Sequence, residues 1–344
     1  MRAYVLNQYG GPEGSKLMDV APPVPGPNDV LINVRAAGLN PVDFKFRQGK
    51  LKVIYRPQLP FVLGNELAGE VAAVGSAVTR FKAGDRVFAR LGKNRGGAFA
   101  EQATVDETLV AHMPPGIDFT TAAAVPLAGL TALQALRDEL GIKPGERVLI
   151  SGGAGGVGTF AIQIAKWLGA HVTTTASPRG EALVRSLGAD DVIDYTKQSI
   201  AQTAERFDAG FDLIGGETLD QMFQVMKPGT KIASVAALPE PGTAMKDLDG
   251  RVGLAILFWI ISGKIRSKAR AAGVDYRYLF MHPSGAELAE LDDLITQGRM
   301  KVIVDKVFPF AQMAEALAYV ESGRAKGKVV VEMGGREIIA SYQR

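Results

Sequence analysis

The stretch Arg147-Val-Leu-Ile-Ser-Gly-Gly-Ala-Gly-Gly-Val-Gly158 constrains this chain more than any other. Val148, Leu149 and Ile150 form a short β-type apolar run. Ser151, Gly152 and Gly153 let the backbone turn sharply, and residues 159–168 continue as an amphipathic helix. Gly153, Gly155 and Gly158 satisfy G-x-G-x-x-G, with Gly156 and Val157 between the last two. A strand feeding such a turn and then a helix is the setting in which this spacing binds a dinucleotide. Small glycines let the backbone approach a pyrophosphate, and the helix start offers free N–H groups and the positive end of its dipole.

The pattern around this stretch predicts an α/β architecture. Strands at 148–151, 171–176, 191–193, 211–214, 231–235 and 276–281 alternate with helices at 157–168, 180–187 and 218–226. That is the signature of a doubly wound parallel sheet, with all strand C-terminal ends on one ligand-binding side. The first third reads differently. Short strands at 2–6, 30–36, 67–74, 86–89 and 96–104, punctuated by glycine and proline, predict a partly closed β-barrel. A helix begins at 120–124, is interrupted by Pro126 and continues over 129–138. Helix 286–297, strand 304–308, helix 311–322 and strand 328–332 complete the chain.

A length of 344 residues fits two domains. The net charge of +3 is too small to argue for nucleic acid or an acidic surface. Cysteine is absent, which removes disulfides, thiolate metal sites and a cysteine nucleophile together. The three histidines, His112, His171 and His282, lie far apart in sequence. Met1 enters a strand directly, so no signal peptide is read and a cytoplasmic location is expected. The apolar run 252–262 is about half the length that spans a bilayer and reads as a core or pocket helix, with membrane contact as the alternative. Lys264, Arg266, Lys268 and Arg270 after it read as a solvated helix face.

The nucleotide type is decided at the end of the second parallel strand. An NAD site usually carries a carboxylate there, about 20 residues past the glycines, for the ribose 2′-OH. This chain reads Thr174-Thr-Ala-Ser-Pro-Arg-Gly180 instead. Ser177 and Arg179 suit a 2′-phosphate, which a carboxylate would repel. Glu181 is close, but should point along the following helix. Ser177 also fits a helix N-cap, and one side chain can serve both roles. The reading is NADPH.

Further motifs occur in order: Tyr9-Gly-Gly-Pro12, Gly38-Leu-Asn-Pro-Val-Asp43, Gly64-Asn-Glu66, Gly129-Leu-Thr-Ala132, Ser186-Leu-Gly-Ala189, Ile193-Asp-Tyr195 and Gly323-Arg-Ala-Lys-Gly-Lys328. With the glycine loop, they make the whole chain resemble the medium-chain dehydrogenase/reductase superfamily in its zinc-free quinone oxidoreductase branch. Within it, the chain is similar to the chloroplast-envelope quinone oxidoreductase and enone oxidoreductase group. The resemblance implies a GroES-like β-barrel catalytic domain (1–125 and 284–344) and a Rossmann NADPH-binding domain (126–283), with the active site in a cleft between them. It also implies a homodimer. Zinc relatives place a cysteine near position 38–40 and a histidine before Glu66. Here those places hold Gly38-Leu-Asn40 and Asn65. Residues 91–98, where a structural zinc lobe would fall, contain no ligand, and Glu66 alone cannot hold tetrahedral zinc.

The same resemblance assigns site residues. Asn40 and Lys45 are expected near the substrate, with Lys45 as a polar clamp on substrate oxygen and cofactor. Tyr55 is a candidate proton donor. Thr131 should approach the nicotinamide ribose, Gly156 and Val157 the pyrophosphate, and Tyr195 the adenosine phosphate. Val235, Leu279, Phe280 and Met281 should meet the nicotinamide, and Gly327 and Lys328 should close over the cofactor. The implied reaction is hydride transfer from NADPH to a quinone or to the C=C bond of an enone or alkenal. Charge developing on the distant oxygen then needs only hydrogen-bond donors. A reductase of simple aldehydes or ketones, and an NADPH-binding protein with little catalysis, are the alternatives.

Overall fold

The structure is a computed structural model that describes residues 1–92 and 95–334. Positions 93 and 94 of the expected zinc-lobe segment, and 335–344 of the expected catalytic domain, lie outside the described residues. The chain divides into two compact units. One holds Met1–Leu130, Pro283–Gly298 and the chain from Val302 onward; the other holds Thr131–His282 and Arg299–Lys301.

The first unit begins with β1 (Arg2–Leu6), β2 (Ser15–Asp19), β3 (Asp29–Leu39), α1 (Pro41–Arg47) and β4 (Phe61–Val62). It continues through β5 (Glu66–Val74), β6 (Arg86–Arg90), β7 (Gln102–Asp106), β8 (Val110–His112) and α2 (Phe119–Ala123). The boundary between the units falls within α3 (Pro126–Leu133). In the second unit come β9 (Arg147–Ile150), α4 (Gly156–Trp167), β10 (His171–Ala176), α5 (Pro178–Ser186), β11 (Asp191–Asp194) and β12 (Phe207–Asp212). They are followed by α6 (Gly216–Val225), β13 (Met226–Ser234), α7 (Pro241–Lys246), α8 (Val252–Ile261), α9 (Gly263–Ala271) and β14 (Asp275–Tyr278). The chain then returns to the first unit with α10 (Gly285–Thr296), β15 (Val304–Pro309), α11 (Met313–Glu321) and β16 (Lys328–Glu332).

The first unit is built on the sheet β15-β16-β3-β5-β6-β8, with β7 also paired to β3, beside the small sheet β2-β1-β4. The long strand β3 alternates, so Val30, Ile32 and Val34 point into a core shared with Leu67, Val87, Phe99, Val329 and Val331. β16 lies antiparallel to β3, with Val329 opposite Leu39. That pairing returns the C-terminal strands to the N-terminal barrel. The predicted strand 96–104 starts only at Gln102. Two glycines explain the shift. Gly97 has φ +120°, and a Cβ on Gly96 would stand 2.3 Å from the Val62 carbonyl oxygen.

The second unit is a six-stranded parallel sheet in the order β11-β10-β9-β12-β13-β14. Val148, Leu149 and Ile150 are fully buried, as a central parallel strand requires. The order reverses between β9 and β12, the switch point at which open parallel sheets bind ligands. Fully buried Asp212 ties that point together. Its Oδ1 accepts from Ser151 Oγ (3.1 Å) and the Gly215 N–H (2.9 Å), and its Oδ2 accepts from Ser234 Oγ (2.7 Å).

Two regions depart from the sequence reading. The predicted strand 276–281 ends at Tyr278. The helix read at 252–262 and the helix face read at 264–270 form as α8 and α9, and a further helix, α7, precedes them. Arg277 anchors the first part of this segment to the sheet. Its Nη2 donates to both carboxylate oxygens of Asp247 (2.7 and 2.7 Å), and the guanidinium also donates to Glu240 (2.9 Å) and Glu139 (3.3 Å). Lys231 completes the network through Glu139 (2.9 Å).

Candidate active site

Each unit carries its own set of candidate residues. In the second unit the glycine turn forms as its spacing predicts. Gly152 adopts φ +68°, Gly155 is the N-cap residue, and α4 begins at Gly156. A Cβ on Gly153 would lie 2.2 Å from Thr174 Oγ1, and one on Gly158 would lie 2.4 Å from the Gly152 carbonyl oxygen. These two glycines therefore let the turn pack onto β10 and onto itself. The first N–H groups of α4, on Gly156, Val157 and Gly158, have no intrahelical acceptor. Free N–H groups at a helix start are what a pyrophosphate would need there.

Ser177 and Arg179 stand at the end of β10. Ser177 occupies the N-cap position of α5, but its side chain makes no capping hydrogen bond. Arg179 is exposed and has no ion pair among the described residues. Glu181 turns along the helix and pairs with Arg185 (2.9 Å). The neighbouring strand is in register, with Ala176 opposite Asp194, and Tyr195 follows it at 58% exposure. A hydroxyl, a guanidinium and an aromatic ring thus line the C-terminal edge of β10 and β11, with no carboxylate turned toward them from α5. These residues fit an adenosine 2′-phosphate.

The nicotinamide candidates of this unit are more enclosed. Thr131 is buried at 4% exposure. The Val235 N–H donates to the Asp212 carbonyl (3.1 Å), and the Leu279 N–H donates to the Ser234 carbonyl (2.9 Å). The Phe280 N–H donates to Asp247 Oδ2 (3.0 Å), and Met281 is half-buried. Arg277 therefore holds, through Asp247, the chain directly after β14.

In the first unit, strand register assembles a buried polar cluster. Glu66, the first residue of β5, lies opposite Gly38 of β3 and Arg90 of β6. Lys328, the first residue of β16, precedes the Val329–Leu39 pair. Glu66 Oε1 accepts from Asn40 Nδ2 (2.6 Å) and Lys328 Nζ (2.7 Å), and Oε2 accepts from the Leu127 N–H (2.6 Å). Lys328 also donates to the Leu39 carbonyl (3.1 Å) and to Asn40 Oδ1. A Cβ on Gly38 would come within 2.3 Å of Glu66 Oε1, so glycine there leaves space for the carboxylate. The Lys328 ammonium has all three donors committed inside this cluster, and its side chain is 2% exposed. Gly327 before it has φ +107°, and a Cβ there would meet the Ile303 carbonyl oxygen at 2.5 Å.

Asp43 extends the cluster. Its Oδ2 accepts from the Asn40 N–H (2.7 Å), and its Oδ1 accepts from Asn65 Nδ2 (2.6 Å). Burial pushes its pKa up to about 7, against the lowering effect of these two bonds. Burial also lowers Arg90 to about 10, opposed by Glu66 and Asp43. A buried acid raised in this way binds more protons folded than unfolded between about pH 4 and pH 7. Its stabilising contribution is complete below the unfolded pKa and disappears as pH rises through 7. In urea titrations, wild type is expected to lose stability across that window relative to Asp43→Asn, with a slope difference of up to about 1.4 kcal/mol per pH unit. Parallel pH profiles for the two proteins would refute this.

Lys45 and Tyr55 lie apart from that cluster. Lys45 is half-buried on α1, and its ammonium has no hydrogen bond or ion pair among the described residues. Burial lowers its pKa, helped by nearby Lys50. Tyr55 stacks on Phe46 (5.8 Å) and meets Phe61 edge-on (6.1 Å), and burial raises its phenol pKa. Sequence reading missed Asp212, Arg90, Asp247 and the acidity of Asp43. Only Asp43 had a local signal, since it closes the Asn-Pro-Val-Asp turn.

Zinc fits this donor set poorly. The only carboxylate at the expected place, Glu66, is already bonded by an ammonium, an amide and a backbone N–H, and Asn65 bonds Asp43. Among the described residues no three His, Cys, Asp or Glu side chains gather as metal ligands.

Comparison with known proteins matches these features. Residues 26–115 match the alcohol dehydrogenase GroES-like domain, and 187–331 match a domain described as zinc-binding dehydrogenase. The chain is 37% identical to the mitochondrial NAD(P)H oxidoreductase RTN4IP1 of Danio rerio, over 97% of this chain and 91% of that one. It is 38% identical to a chloroplastic NADPH-dependent alkenal/one oxidoreductase of Arabidopsis thaliana, over 96% of this chain and 79% of that one. Among solved structures, the quinone oxidoreductase of Coxiella burnetii superposes with a TM-score of 0.84 at 32% identity, covering 97% and 99% of the two chains. The Escherichia coli quinone oxidoreductase complexed with NADPH superposes at 0.80 with 27% identity, covering 97% and 100%.

Proposed function

The chain belongs to the medium-chain dehydrogenase/reductase family, in its quinone oxidoreductase branch, and we propose that it is a zinc-independent, NADPH-dependent reductase of quinones or of the C=C bond of α,β-unsaturated carbonyls. One observation carries the choice of acceptor. Where a Lewis acid would otherwise polarise a simple ketone, the first unit holds the Asn40 amide, fixed by a Glu66 carboxylate that is already neutralised by Lys328. A conjugated acceptor spreads the developing charge onto an oxygen that hydrogen-bond donors can stabilise. The alkenal/one and quinone activities named for the relatives point to the same acceptors.

NADPH supplies the hydride when bound. Gly153, Gly155, Gly156, Val157 and Gly158 receive its pyrophosphate, and Ser177, Arg179 and Tyr195 its adenosine 2′-phosphate. Thr131, Val235, Leu279, Phe280 and Met281 serve the nicotinamide half. In the first unit, Lys45 is the cationic donor for substrate oxygen and cofactor. Asn40 is held in place by Glu66 and Lys328, so Lys328 acts as a positioning residue beside Gly327. Tyr55 is the candidate proton donor, with water as the other source. A cytoplasmic homodimer is part of the proposal, to be tested by light scattering and cell fractionation.

Stopped-flow oxidation of bound NADPH tests the assignment. Rapid reaction is expected with 1,2-naphthoquinone and an alkenal, and slow reaction with a simple ketone, unchanged by a chelator. Rapid reaction with the ketone alone would overturn it, and tight NADPH binding without turnover on any acceptor would indicate a binding protein. Lys45→Ala is expected to lower kcat/KM for the preferred acceptor by roughly 10- to 100-fold, the effect of one charge-assisted hydrogen bond. An unchanged kcat/KM would remove Lys45 from the reaction.

A further inference from the structure

Helix α8 presents an apolar face to solvent. At about 100° per residue, Val252, Ile256, Trp259 and Ile260 fall within about 100° of one another around the helix. Their exposures are 62%, 59%, 59% and 63%, while Leu254 and Phe258 on the opposite side are buried. The expected core or pocket helix is therefore buried on one side only, and Trp259 lies outward. Four large apolar residues exposed together on one helix mark an interaction surface.

Cations flank this helix in sequence, and one of them touches its face. The segment 250–274 holds Arg251, Lys264, Arg266, Lys268 and Arg270, and no Asp or Glu. Its flanking carboxylates are Asp249 and Asp275, and Lys268 is paired with Asp220. Arg266 stands with its guanidinium 5.5 Å from the Trp259 ring centroid and donates to the Trp259 carbonyl (2.7 Å). Lys264 and Arg270 are exposed and have no ion pair among the described residues.

We propose that the exposed face of α8, with the cations of α9 at its edge, docks this protein onto an anionic lipid bilayer. Aliphatic side chains and a tryptophan entering the headgroup boundary, with lysine and arginine beside them, are what an interfacial helix uses. At 10 residues α8 lies on a bilayer and does not cross it. No described helix is long and apolar enough to cross. A second copy is the less suitable occupant. A two-fold contact through this face would bring like-charged α9 segments together, with no acidic residue between 250 and 274 to receive them.

The full-length protein with NADPH should co-sediment with vesicles of phosphatidylcholine plus phosphatidylglycerol, but not with phosphatidylcholine alone, and less at high salt. In a Trp167→Phe background Trp259 is the remaining tryptophan, and its emission should shift to the blue on those vesicles. Ile256→Asp with Ile260→Asp should abolish sedimentation, and Lys264→Glu with Arg270→Glu should weaken it by at least about tenfold. Both pairs are exposed, and unchanged NADPH binding will show that the fold is kept. Failure of the native protein to bind anionic vesicles, or equal binding by the α8 variant, would overturn the proposal. So would a halving of the native mass in solution on Ile256→Asp with Ile260→Asp, which would assign the face to a second copy.

Discussion

Lys328→Met is expected to lower the melting temperature by on the order of 10 °C. Glu66 and Lys328 are 0% and 2% exposed, and their ion pair lies inside the first unit. Removing the ammonium leaves a buried carboxylate with only an amide and a backbone N–H as donors. Breaking a buried pair from one side costs about 3–5 kcal/mol. For a unit of this size, each kcal/mol shifts the melting temperature by about 2–4 °C. Adding Glu66→Gln should return much of the loss, because no buried charge is then left alone. Thermal scans of the two single variants and the double variant measure this coupling. A drop below about 2 °C in Lys328→Met would mean that Arg90 alone neutralises Glu66. Activity gives a second readout. If Lys328 positions Asn40, kcat should fall in the double variant even where stability has recovered.

Arg179→Ala should raise KM for NADPH by roughly 10- to 100-fold and change KM for NADH by less than about threefold. Arg179 is exposed at the end of β10 and has no ion pair among the described residues, so its guanidinium is available for a phosphate. The carboxylate nearest in sequence, Glu181, is held along α5 by Arg185 and would not repel that phosphate from close range. Ser177→Ala should act in the same direction with a smaller effect, since a neutral hydroxyl makes a weaker bond to a dianion than a guanidinium does. Steady-state kinetics with both cofactors decide the matter. Equal losses for NADPH and NADH would remove the 2′-phosphate assignment.

How much of this was legible in the chain depended on distance along it. The turn at 151–158, the strand before it and the helix after it are set by steric rules acting over a dozen residues, so glycine spacing was enough. The placing of Ser177, Arg179 and Tyr195 was legible because each lies within three residues of the end of a parallel strand, and strand ends in such a sheet share one side. Strand limits near Gly96 and Gly97 were misread because a close approach to Val62 is a contact with another strand. Helix α8 was misread because a segment apolar on every side carries no periodicity to say which side is buried.

The sequence by itself determined the division into a β-rich unit and an α/β unit, and the glycine turn with its flanking strand and helix, since all of these rest on local patterns. The tertiary structure decided the chemistry of the first unit. Glu66 and Lys328 are 262 residues apart, and they meet only because β5 and β16 both pair with β3 in a fixed register. It likewise joined Arg277 to Asp247, Glu240 and Glu139, and turned Ile256 and Trp259 outward. Burial and long-range pairing set which charges are neutralised and which surfaces stay open, and neither can be read from neighbours along the chain.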